Sequence, residues 1–128
     1  MTERRLKYHR TWVAIGFALV GALVVLSLVP APPAPLDFEG ADKLEHLAGY
    51  ALLMSWFMQI YQQRATRARV AGALVALGFV IEVLQGFSAL RHFDYVDALA
   101  NTLGVLLAWW LVRPPLSRVL WQLEQRFA

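Results

Sequence analysis

Four long apolar stretches, separated by short polar breaks, take up most of this chain, and the charge in those breaks alternates in sign. The stretches are Thr11–Val29, Leu47–Tyr61, Val70–Phe87 and Ala98–Val112. Asp37, Glu39, Asp42, Lys43, Glu45 and His46 lie between the first and second, and Arg91, His92, Asp94 and Asp97 between the third and fourth. The remaining breaks carry Arg and Lys and almost no acid. A chain that crosses a bilayer repeatedly delivers successive breaks to opposite faces. The pattern therefore predicts an all-α integral membrane bundle of four transmembrane helices, with a polar cluster at one membrane face.

Composition agrees. The chain is 59% hydrophobic and 16% charged, against about a quarter charged in soluble domains. One domain is the expectation at 128 residues. Cysteine is absent, which excludes disulfides and thiolate metal sites. The net charge of +3 is spread over several flanks, whereas a nucleic-acid binder gathers its cations on one face. No nucleic-acid partner is expected.

The flanking cations set orientation. Ten of the twelve basic residues fall on one side if there are four crossings; Lys43 and Arg91 fall opposite. Both termini are then cytoplasmic in a multi-pass cytoplasmic (inner) membrane protein, and the acid-rich breaks face outward. The rival reading of the start is a cleaved leader. The run Pro30-Ala31-Pro32-Pro33-Ala34-Pro35 is a poor cleavage context, so a retained helix is the expectation.

The expected helices cover about 11–29, 42–61, 68–87 and 95–112, after a basic cytoplasmic N-terminus (1–10) and before an amphipathic tail (113–128). Spanning ~30 Å of hydrocarbon takes about 20 helical residues. Segments two and four have about fifteen apolar-stretch residues each, so they reach that length only by including polar turns on the outer side. Polar groups at that depth should face the bundle interior. In the tail, Leu116, Val119, Leu120, Leu123 and Phe127 form an apolar stripe opposite Arg118, Gln122, Gln125 and Arg126, which predicts a short C-terminal amphipathic interfacial helix. Trp109, Trp110 and Trp121 fit an aromatic belt at that level.

Helical spacing gathers the polar residues. Asp42, His46 and Tyr50 share a face, with Lys43 one turn before His46. Asp94, Asp97 and Asn101 do the same in segment four. Gly78, Glu82 and Gly86 form a ladder in segment three, with Gln85 beside it; Gly104 sits between Ala100 and Ala108. Small residues at that spacing let helices approach closely.

Glu82 is the sharpest single signal, because an intramembrane carboxylate costs about 3 kcal/mol on insertion scales. It marks either a functional site or an ion pair that locks helices, with Arg91, Lys43 and His46 as candidate partners. His46 reads as a general base, a ligand or a hydrogen-bonded core histidine. Asp42-Lys43-Leu44-Glu45 also fits a capping box, and Asp94 fits a weaker one. Arg91 suits either anion binding or headgroup contact. No HExxH or paired-His spacing is present, so neither a metal nor a cofactor is expected.

Asp42-Lys43-x-x-His46-x-x-x-Tyr50, Glu82-x-x-Gln85 and Arg91-x-x-Asp94-x-x-Asp97-x-x-x-Asn101-x-x-Gly104 together resemble the VanZ-like family from about Asp42 to Trp110. The resemblance implies a small polytopic bacterial membrane protein. The founding member is linked to resistance to the lipoglycopeptide teicoplanin. The family supplies no accepted catalytic roles, so the resemblance sharpens architecture more than mechanism. The expected function is binding of a lipid, lipid-linked cell-wall precursor or lipoglycopeptide headgroup in the outer pocket. A membrane enzyme acting on a lipid-linked substrate, with His46 as base, and a structural or partner-recruiting module are the alternatives.

Overall fold

The structure, a computed structural model, describes residues 6–28, 41–87, 95–113 and 116–127. Helix α1 is His9–Leu28, α2 Ala41–Ile60, α3 Arg64–Phe87 and α4 Tyr95–Leu111. A 3-10 turn, Leu116–Arg118, leads into α5, Val119–Phe127. Every described element is helical, as expected. Helix α3 begins about one turn earlier than the apolar pattern suggests, and Arg67 in that added turn closes the end of α2. Its Nε donates to the Tyr61 carbonyl at 2.7 Å and its Nη2 to the Met58 carbonyl at 2.8 Å. These are carbonyls that a helix end leaves without intrahelical donors.

Two helices, α1 and α3, are long and apolar enough to cross a membrane, or up to three if α4 and the tail count as one bent span. Helix α2 is the centre of the bundle and packs against α1, α3, α4 and the tail. Tyr50, Leu53, Met54, Met58, Leu74 and Val105 form the main core. A second cluster, Leu6, Phe57, Ile60 and Leu120, sits where the tail docks. Large apolar side chains point outward from all four long helices, among them Phe17, Leu52, Val80 and Leu99.

The α2–α4 crossing is set by Gly104. A Cβ there would overlap the Leu47 carbonyl oxygen and lie 3.1 Å from the Ala51 nitrogen, so backbone meets backbone. Gly78 receives the Asn101 side chain; a Cβ would sit 3.2 Å from Asn101 Nδ2. Gly86 is exposed, so the expected ladder packs at Gly78 and not at Gly86. At 3.6 residues per turn, positions eight apart have rotated about 80°.

The tail docks by a seam that shares only Leu120 with its apolar stripe. Ser117, Leu120 and Glu124 are buried, while Leu116, Val119, Leu123 and Phe127 are exposed. Helix α5 thus has three faces: one on the bundle, one apolar and outward, one polar. Gln59 of α2 fixes its start, accepting from the Val119 N–H at 2.7 Å and donating to the Leu116 carbonyl at 2.6 Å.

Candidate functional site

The antiparallel order brings the N-terminal ends of α2 and α4 and the C-terminal end of α3 to the same end of the bundle. Each of those ends carries polar residues where the apolar pattern is weakest. At the mouth, Lys43 Nζ pairs with Asp97 Oδ1 at 2.6 Å. His46 lies beside it, with Nε2 3.8 Å from Asp97 Oδ2 and Nδ1 3.1 Å from Asn101 Oδ1. The amide oxygen accepts only, so that hydrogen bond places a proton on Nδ1. Nε2 lies beside the Asp97 carboxylate that Lys43 also pairs with.

Accessibility falls steadily inward. The Lys43 side chain is 30% exposed and that of His46 19%; Asn101 and Tyr50 are 2% exposed and Glu82 is fully buried. Asn101 and the Tyr50 ring both pack on Gly78, which is why that glycine matters to the site. Glu82 acts electrostatically on Tyr50. Among the described residues Tyr50 Oη has no hydrogen-bond partner, a state that costs about 1–3 kcal/mol for a buried polar group. Exposure thus narrows like a funnel through a cluster of mixed-sign polar groups drawn from α2, α3 and α4, with charged groups at the rim and amide, phenol and carboxylate buried beneath.

One expected member, Gln85, is engaged elsewhere. Gln85 is buried, and its Nε2 donates to the Ser27 carbonyl at 2.6 Å, so it tethers α3 to the end of α1. Asp42 stands in the first turn of α2; with the helix opening at Ala41, the capping-box residues begin inside it. Arg91 and Asp94 lie outside the described residues. Among the described residues, no three His, Asp or Glu side chains form a group that could hold a metal.

One buried carboxylate was not anticipated. Glu124 of α5 accepts from the Lys7 N–H at 2.7 Å, the Tyr8 N–H at 2.8 Å and the Trp12 indole at 2.7 Å. Burial pushes its pKa up, but these hydrogen bonds and the Lys7 charge outweigh it and hold the carboxyl below its ordinary value. Its signal in the sequence is slight: it is the one acid within a tail otherwise charged by arginines.

A family model described as VanZ/LLP1 matches residues 15–120. The chain belongs to the VanZ/LLP1 family. Family membership and the apolar helices together make it a membrane protein. A protein of the fission yeast Schizosaccharomyces pombe, described as uncharacterized, is 32% identical over 99 residues, or 75% of this chain and 59% of the relative. The chain therefore spans about three fifths of that relative's length. No solved structure matches. The match takes in every described residue of the funnel.

Proposed function

We propose that this VanZ/LLP1 protein crosses the membrane four times and binds the polar headgroup of an envelope lipid or lipid-linked precursor in the funnel at its outer face, and so affects the cell envelope or glycopeptide resistance. Four crossings are supported by the position of α2. Packed against α1, α3 and α4, it can carry Lys43, Glu45 and His46 half-buried among its neighbours instead of facing hydrocarbon. The observation that carries the binding reading is the continuous run Lys43–Asp97–His46–Asn101 above the unpartnered Tyr50 hydroxyl. Lys43 and His46 at the rim suit phosphate or carboxylate. Asn101 and Tyr50 below suit sugar or amide groups. That a yeast carries a relative supports a common membrane lipid over a molecule confined to bacterial wall synthesis.

The test is lipid analysis of the purified protein. Wild type is expected to retain a specific lipid through detergent exchange; His46→Ala and Lys43→Gln lose it while staying folded, and Glu82→Gln weakens it. Equal lipid content in all four proteins overturns the proposal. A second reading, catalysis on a lipid-linked substrate, is favoured by the imidazole held between Asn101 at Nδ1 and the Asp97 carboxylate at Nε2. It predicts turnover of a labelled lipid in liposomes that His46→Ala abolishes.

A further inference from the structure

At the end of the bundle opposite the funnel, a groove of about 690 Å³ opens between the start of α3 and the end of α4. Gln62, Arg64, Arg67, Trp109, Trp110 and Arg113 line it, with Leu106 and Val112. The lining holds three guanidinium groups and no carboxylate. Two of them are held in place: Arg67 by the α2 carbonyls, and Arg113 by its Nε, which donates to the Trp110 carbonyl at 3.0 Å. The positive end of the α3 macrodipole adds to the field. The groove does not end in water. Leu103, Leu106 and Leu107 continue from it as an exposed apolar strip along α4, and Trp110 is 65% exposed at its edge.

We propose that this groove is a second lipid site, taking an anionic glycerophospholipid whose phosphate lies among Arg64, Arg67 and Arg113 and whose acyl chain follows the α4 strip. Basic pockets between helices beside interfacial tryptophans suit such headgroups. The apolar strip separates this ligand from a free phosphate, which has nothing to lay there. Arginine presents a planar fork that fits phosphate oxygens in pairs. The site is independent of the funnel in both residues and membrane face.

The experiment is native mass spectrometry of the full chain in mild detergent, offered phosphatidylglycerol or phosphatidylcholine. Wild type is expected to retain phosphatidylglycerol preferentially, and less of it as salt is raised. Arg64→Gln with Arg113→Gln should weaken retention about fivefold per guanidinium. Arg67 is left intact because it closes α2. The comparison is repeated in the Lys43→Gln background, where lipid held in the funnel no longer contributes, and the effect of the two arginine substitutions should persist there. Equal binding of the two lipids, indifference to salt, wild-type retention by the double variant, or disappearance of the arginine effect in the Lys43→Gln background would each overturn the proposal.

Discussion

Glu124 shows how one side chain can join the two ends of a chain. Its carboxylate gathers two backbone N–H groups and an indole from the turn that opens α1. Hydrogen bonds to a charged acceptor are worth about 1.5–3 kcal/mol each at most, and breaking several at once strands buried donors. Glu124→Gln should lower stability by about 2 kcal/mol, read as a fall in melting temperature and faster proteolysis of the tail. The pH dependence follows from the lowered pKa. The stabilisation is fully present above the unfolded carboxyl value and disappears as pH falls through the folded value, so the tail should undock only in acid, below the usual carboxylate range. Trp12 fluorescence followed against pH reports it, and the Gln variant should show no such transition. Asp97 and Asn101 make the complementary point. They are spaced as neighbours on α4, but that they hold His46 from two sides depends on α2 lying against them.

At the level of the helix, glycines with the same sequence context have opposite roles. Gly104 marks the place where α4 meets the α2 backbone, and backbone cannot yield to an added methyl as a flexible side chain can. Gly104→Ala should destabilise by about 1–3 kcal/mol, the usual range for overpacking. Gly21 has nothing within 4 Å of a new Cβ. Gly21→Ala should therefore be neutral or gain up to ~1 kcal/mol from helix propensity. Thermal unfolding of the two variants in one detergent checks both signs. Helix α5 carries the matching lesson about faces. Its apolar stripe was legible from spacing, but its docking seam runs through Ser117, Leu120 and Glu124, because the bundle end offers polar partners, Gln59 and the α1 turn, as well as apolar ones.

For the whole molecule, the proposed four-crossing topology places both termini and α5 on the cytoplasmic side and the funnel outside. The absence of cysteine makes this directly testable, since any thiol introduced is the only one present. Cysteine at Gln125 is expected to react with a membrane-impermeant maleimide in inverted vesicles and not in intact cells; cysteine at Leu44, exposed beside the funnel mouth, should do the reverse. Reaction of both from the same side would remove the outer-face assignment. The electrostatic layout of the bundle makes the expectation sharp: the arginines at the start of α3, the end of α4 and the tail share one end, and the Lys43–Asp97 pair occupies the other.

The sequence by itself determined the helical class, the approximate limits of the long helices and the candidate polar residues. It could do so because apolar runs, charge bias and i, i+4 spacing are local properties that survive in one dimension. It also put Lys43, His46, Tyr50, Glu82, Asp97 and Asn101 toward one end of the bundle, since antiparallel order follows from short connections. Only the tertiary structure decided who meets whom. Lys43 pairs with Asp97, His46 leans on Asn101, Gln85 is drawn to Ser27, and Glu124 reaches back over more than a hundred residues to Lys7 and Tyr8. Those partnerships depend on the rotation of each helix about its axis and on the closest approach at Gly104 and Gly78, quantities fixed by packing between segments that no single segment contains.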